Sequence, residues 1–305
     1  MPFGKTEKIW MNGKLVDWDK AQVHVLTHAL NYGSSWFEGI RCYNTEKGSA
    51  IFRLRPHIKR LQNSAKMFRA TIPYSLEDLE NACIETIKAN KMVACYIRPI
   101  VYRRYGDVGV NPFNNPVDVS IAVWDWEAYL GGGALENGVD VCVSSWRRAA
   151  PDTFPSMSKS SGNYLNSQLI KMEAIVYGFV EGIALDAYGN ISEGSGENIF
   201  IVNNGKIFTP PFGASILPGV TRDSVIQLSK ELGYELVEQM IPREMLYTAD
   251  EVFFSGTAAE ITPIKSIDKI PVGNGKPGEV TRRLQKVFFE IVRKGVDTRN
   301  WLTLL

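Results

Sequence analysis

Residues 156–168, SMSKSSGNYLNSQ, set one lysine, Lys159, among serines, a glycine and an asparagine, with no acidic residue in the stretch to pair with it. The pattern that follows predicts a helix over about 163–177, opened by Gly162 and Asn163 and stopped by Gly178. The positive end of a helix disfavours a nearby ammonium and favours the neutral amine that a Schiff-base nucleophile needs. Gly162 and the serines also leave room for a planar ligand. A solvated loop lysine fits the same residues, and the stretch alone leaves both readings open.

Upstream, EKIWMNGKLVDW places Asn12-Gly13 between two strand-like runs, the signature of a hairpin with a type I′ turn. After Pro56, Ile58, Leu61, Ala65 and Phe68 recur at helical spacing. Ser75 and Asp78 then form a capping pattern before the stripe Leu79, Cys83, Ile87. VACYIRPIVY and VDVSIAVWDW read as strands, the second well buried. These elements predict a small α/β domain over 1–127. Gly131, Gly132 and Gly133 mark 128–133 as a linker, with an ordinary surface loop as the alternative, and 134–305 forms a larger domain. Downstream of the Lys159 helix a β-rich run follows, including GIALDAYGNISEG and ENIFIVNNGKIFTP. A helix in PGVTRDSVIQLSKELG closes on Gly233, DEVFFSGTAAEITPI reads as strand, turn and strand, and an amphipathic helix runs from Pro277 to about Arg293.

The 305 residues are long enough for two domains, and a net charge of +1 gives no reason to expect nucleic acid or an anionic membrane as partner. Cys42, Cys83, Cys95 and Cys142 form no CxxC pair, and with three histidines there is no metal-ligand pattern. They read as reduced core thiols of a cytoplasmic protein. The first ten residues lack the apolar core of a signal peptide, and no apolar run is long enough to span a membrane.

Two further stretches offer anion sites. In ILPGVTRDSV, Gly219, Val220 and Thr221 open a helix, where free amides and a hydroxyl hold phosphate. In FSGTAAE, Gly256, Thr257 and Ala258 make a second nest of amides. An N-cap and a turn explain each equally well, and Arg60 alone reads as a surface charge. In YGNISEGSGENIF, Glu193 lies beside a Gly-Ser-Gly run, as a turn residue or as a carboxylate facing a ring nitrogen, with Glu197 and Asn198 placed to support it.

Taken in order, HALNYGSSWFEGIRCY, YIRP, GVNP, SSWRRAAP, SKSSGNYLNS, EGIALD, ISEGSGENIF, LPGVTRD and SGTAAEITPI resemble the class IV aminotransferases of fold type IV, and within them the branched-chain amino-acid aminotransferases. The resemblance covers nearly the whole chain. It implies a mixed α/β fold of two domains with pyridoxal 5′-phosphate between them. Lys159 would be the Schiff-base lysine and proton carrier, and Glu193 the partner of the pyridine nitrogen. Arg60 would bind the phosphate with Gly219, Val220, Thr221, Gly256 and Thr257. Leu217 would lie beneath the ring and Tyr164 near the phenolic oxygen. For substrate, the resemblance implies apolar walls from Phe37, Trp126, Tyr129 and Tyr164, a polar edge from Tyr32, Arg41, Tyr96 and Arg98, and an α-carboxylate site at the amides of Thr257 and Ala258. The loop at Val110 would close the pocket of a neighbouring subunit, so a homodimer or a higher oligomer such as a hexamer is implied.

The reaction implied is ping-pong transfer from leucine, isoleucine or valine to 2-oxoglutarate. The alternatives are a D-amino-acid or (R)-amine transaminase, an aminodeoxychorismate lyase, or a cofactor-binding protein without activity. Two features depart from the family pattern: Arg103 and Arg104 stand where relatives are apolar or small, and serines flank the lysine. Arg103 and Arg104 are expected either to shift acceptor preference or to lie at the surface.

Overall fold

The structure, a computed structural model, describes residues 4–126 and 129–305. The expected end of the first domain, at 127, and the start of the linker, at 128, lie outside the described residues. The chain divides into two compact units, one of Met1–Glu127, Ser158–Gly162 and Glu290–Leu305, the other of Ala128–Met157 and Asn163–Phe289.

The first unit opens on a hairpin, β1 (Lys8–Met11) and β2 (Lys14–Asp17). Asn12 and Gly13 both take positive φ at its turn, as a type I′ geometry demands. A short helix α1 (His28–Tyr32) and strands β3 (Ser35–Phe37), β4 (Ile40–Thr45) and β5 (Gly48–Phe52) follow. Then come helices α2 (Leu54–Met67) and α3 (Leu76–Ala89) and strands β6 (Cys95–Arg103) and β7 (Val117–Trp124). Among the described residues they form one sheet in the order Leu302–Leu304, β5, β4, β6, β7, β1, β2, with β3 also on β6. Helix α2 begins two residues before Pro56; the first turn uses no N–H inside the helix, so proline is tolerated there. Its stripe of Ile58, Leu61 and Ala65 meets Leu79, Cys83 and Ile87 of α3 in a core with Ile97, Val101 and Ile121 of the sheet. Ser75 and Asp78 form the expected reciprocal cap.

The second unit holds α4 (Ala134–Asn137), β8 (Val139–Val143), α5 (Tyr164–Val176), β9 (Glu181–Leu185), β10 (Ile191–Gly194), β11 (Asn198–Asn203) and β12 (Lys206–Thr209). It continues with α6 (Val220–Glu231), β13 (Leu236–Glu238), α7 (Met245–Thr248), β14 (Glu251–Gly256), β15 (Glu260–Ile267) and β16 (Ile270–Pro271). Helix α8 (Glu279–Lys294) starts in this unit. The sheet is mixed, in the order β10, β9, β8, β15, β14, β11, β12, β13, with β16 on β15. Gly131 and Gly133 have positive φ, while Leu130 and Ala134 pack into the core of this unit. The helix expected from Gly162 begins at Tyr164, preceded by a single 3-10 turn.

Candidate functional site

Lys159 lies on the segment Ser158–Gly162, which belongs to the first unit and is tied to it residue by residue. The Lys159 N–H donates to Ser64 Oγ at 2.9 Å, and Ser158 Oγ donates to Ser64 O at 3.1 Å. Phe37 N donates to Lys159 O at 3.1 Å, Ser160 bridges Trp36, and Ser35 Oγ meets Ser161 Oγ at 2.7 Å. Lys159 Nζ lies 4.9 Å from the centroid of the Phe37 ring. Gly162 packs against Gly33, which has positive φ; a Cβ on Gly33 would lie 3.3 Å from Gly162 Cα.

Arg60 is not a surface charge. Its Nε and Nη2 donate to the two oxygens of Glu38 at 2.7 and 2.8 Å, and His57 Nδ1 meets Glu38 Oε2 at 2.7 Å. Glu38 and His57 are fully buried. Burial penalises the charge of Glu38, but the neighbouring Arg60 and His57 outweigh it and hold the carboxyl well below the usual range. Burial pulls the His57 pKa down against the opposing pull of Glu38.

Of the expected aromatic wall, Phe37 and Trp126 belong to the same unit, and Tyr129 and Tyr164 to the second. Arg98 lies over three rings, 4.8 Å from Phe37, 5.4 Å from Tyr96 and 5.5 Å from Trp124. The Tyr96 ring meets that of Trp126 at a tilt of 43°, with centroids 4.2 Å apart, and Arg41 is the cross-strand partner of Tyr96. Tyr32 and Val110 are exposed. The loop that carries Val110 is anchored by Arg103, which donates to the carbonyls of Pro112, Phe68 and Arg69, and by His28 Nε2 at Gly109 O. Arg103 is therefore neither a surface charge nor a free cation: it is 3% exposed and serves three carbonyls. Arg104 is half exposed and pairs with Asp118 at 3.5 Å.

The second unit carries Tyr129, Tyr164, Glu193, Leu217, Gly219, Val220, Thr221, Gly256, Thr257 and Ala258. A register shift in β10 between Ile191 and Glu193 re-aims the acid. Its Oε2 accepts from Leu217 N at 3.0 Å and Asn198 Nδ2 at 3.1 Å, while Oε1 faces Arg148 Nη2 at 3.2 Å. Arg148 in turn donates to Asn166, Ser167 and the carbonyls of Gly194 and Ser195. Gly219 caps α6, which begins with Val220 and the buried Thr221. A Cβ on Gly219 would lie 2.0 Å from Asn198 Oδ1, so the glycine makes room for the side chain that braces Glu193. Gly256 ends β14, with Thr257 and Ala258 in the turn beyond it.

Asn198 supports Glu193 as its place in the sequence suggests. Glu197 does not: its carboxyl accepts from Gly196 N, and burial followed by the charge of Glu181 pushes its pKa up to about 8. Glu38, His57, Ser64 and Arg148 are missing from the sequence reading. Each is a polar residue whose partners in the site lie 18 to 95 positions away, and only the EGIR and WRR motifs hinted at two of them.

A family model described as amino-transferase class IV matches residues 35–267. The branched-chain-amino-acid aminotransferase of Escherichia coli (strain K12) is 54% identical over 302 residues, covering 98% of this chain and 97% of that one. A crystal structure of an Escherichia coli branched-chain amino acid aminotransferase superposes with a TM-score of 0.96 at 52% identity, covering 98% and 99% of the two chains. The branched-chain amino acid aminotransferase from Thermobaculum terrenum, solved in its PLP-form (holo-form), gives a TM-score of 0.90 at 33% identity and covers 98% of each chain.

Proposed function

The chain belongs to the class IV amino-transferases, and from that premise we propose that it moves the amino group of leucine, isoleucine or valine to 2-oxoglutarate, releasing glutamate and a branched 2-oxo acid. The observation that carries the substrate reading is the Phe37 ring, which has Lys159 Nζ at 4.9 Å and the Arg98 guanidinium at 4.8 Å. An apolar wall beside the reactive amine suits a branched side chain. A cation seated among Phe37, Tyr96 and Trp124 gives the distal carboxylate of glutamate a partner without placing a bare charge against leucine.

The residues present fit pyridoxal 5′-phosphate: an amine for an aldehyde, a braced carboxylate for a ring N–H, and a guanidinium and amides for a phosphate. When bound, the cofactor supplies an aldehyde carbon for an amine and a ring that withdraws electrons from the substrate Cα. Lys159 Nζ would be the amine for that carbon and the base that carries the proton at Cα. Glu193 would accept from the ring N–H and keep it protonated; Arg148, Asn198 and the Leu217 amide keep the acid in place. Arg60, the amides of Gly219, Val220 and Thr221, and Gly256 with Thr257 would hold the phosphate. Leu217 would support the ring and Tyr164 would donate to the phenolic oxygen. Phe37, Trp126, Tyr129 and Tyr164 wall the substrate, Tyr32, Arg41, Tyr96 and Arg98 form the polar edge, and the amides of Thr257 and Ala258 take the α-carboxylate.

A homodimer or a higher oligomer fits the exposed apolar side chains Val23, Val25, Leu26, Leu30, Val108, Val110 and Phe113. Residues 128–133 are read as the joint between the two domains. Four buried free cysteines agree with a cytoplasmic setting, and among the described residues no helix is long and apolar enough to cross a membrane.

Borohydride reduction of the cofactor-loaded protein followed by peptide mapping tests the core of the reading. The tag belongs on Lys159, and a tag on another residue overturns the assignment. A panel of L- and D-amino donors with 2-oxoglutarate tests the substrate class. Turnover of D-donors alone would replace the branched-chain reading.

A further inference from the structure

We propose that Glu38, backed by His57, is a positioning residue for Arg60 that fixes the direction in which the guanidinium meets the cofactor phosphate. The inference rests on the assignment of Arg60 to that phosphate.

The geometry is specific. Glu38 lies between β3 and β4, and its own N–H donates to Pro99 O of β6 at 2.9 Å, so its backbone is held by the sheet. Its two oxygens receive Nε and Nη2 of Arg60, a side-on pairing that removes rotation of the guanidinium plane. A carboxylate only accepts, so His57 carries its proton on Nδ1 and donates to Oε2. His57 precedes Arg60 by three residues on α2, which puts both on one face of the helix. With His57 neutral, the charge of Glu38 is matched by Arg60 alone.

A purely structural role explains this arrangement less well. A buried ion pair stabilises a fold little more than apolar residues of the same volume, whereas fixing one geometry is its best-attested use. The same helix also carries Ser64, one turn after Arg60, and Ser64 holds the Lys159 backbone. Glu38 therefore orients the arginine on the helix that also anchors the reactive lysine.

The test is cofactor affinity, read without turnover. Apoprotein is titrated with pyridoxal 5′-phosphate and with pyridoxal, which lacks the phosphate, following the absorbance of the bound form. Parent, Glu38→Gln and Arg60→Ala are compared after melting curves confirm that they fold. Glutamine offers a single acceptor oxygen and no charge, so Glu38→Gln is expected to weaken pyridoxal 5′-phosphate by about tenfold or more, the worth of one charge-assisted bond. Affinity for pyridoxal should stay within about twofold of the parent under the same reasoning. Equal losses for both ligands, or no loss for either, overturn the positioning role. If Arg60→Ala shows no phosphate-specific loss, the assignment of Arg60 itself fails, and the two failures are thereby told apart. His57→Phe keeps a ring and removes the donor. It reads the same discrimination should Glu38→Gln not fold, and a His57→Phe protein with no phosphate-specific loss then counts against the proposal.

Discussion

Glu193 and Glu197 stand four positions apart in one glycine-rich motif, yet the fold treats them in opposite ways. Glu193 is met by Arg148, Asn198 and a backbone amide; Glu197 is buried with one backbone donor and the charge of Glu181 nearby. Glu197 keeps its proton in the folded chain up to about 8, against an ordinary value of 4.5. The sign follows from linkage: the folded state binds that proton more tightly, so the stability it contributes is complete below 4.5 and is lost as pH rises towards 8. Glu197→Gln, which is neutral throughout, is expected to flatten the pH dependence of the melting temperature over that window and to melt above the parent at a pH of about 9, beyond the folded-state value. A variant that melts below the parent there, with the slope unchanged, would show that the acid is ionised in the fold. The candidate site side chains stand out in the sequence because short motifs of unusual composition carry them. The side chains that hold them do not: Arg148 and Glu38 look like any charged residue until the fold supplies partners that are far away in the chain.

Helix α2 shows where periodicity stops being informative. Its apolar stripe predicts one buried face, and Ile58, Leu61 and Ala65 are indeed fully buried. Nothing in that pattern says that His57 and Ser64 are buried as well, because polar residues off the stripe read as solvated by default. Ser64 Oγ is the acceptor for the Lys159 N–H. Ser64→Ala would leave that donor without its acceptor, and the expected loss is about 1–3 kcal/mol of stability, measured by urea unfolding. An unchanged urea midpoint would mean that the loop is held without this bond. Helix α6 makes a parallel case at its first turn. Gly219 has φ −66, so alanine meets no backbone penalty there, yet its Cβ would fall on Asn198 Oδ1. Gly219→Ala is expected to push Asn198 away from Glu193, at a cost of about 1–3 kcal/mol and with weaker cofactor binding. Gly219→Ala protein that binds and melts like the parent would show that Asn198 has another place to go.

At the level of the whole chain, the organisation least visible in the sequence is that the first unit is assembled from three separate segments. Composition and turn signals place one boundary near residue 127, and local pattern has no means of showing that residues 290–305 return to residues 48–53. The return is well anchored. Leu302, Thr303 and Leu304 pair with Phe52, Ile51 and Ala50, and Arg53 N donates to Trp301 O. The buried Trp301 ring meets Phe52 edge-on at 5.8 Å and lies under Arg53 at 4.8 Å. Trp301→Ala removes that packing and leaves a cavity, so a loss of about 3–5 kcal/mol is expected. The same connectivity makes a stronger demand. A fragment of residues 1–127 lacks the edge strand Leu302–Leu304 and also Ser158–Gly162, which bridge β3 through Trp36 and Phe37. It keeps α2 and α3 but loses what closes β5 and seats β3, so it should give a broad, non-cooperative melt, while the full chain with Trp301→Ala still unfolds sharply at lower urea. A sharp transition from the 1–127 fragment would show that the first segment folds by itself and that the return of the C-terminus adds stability without defining the unit.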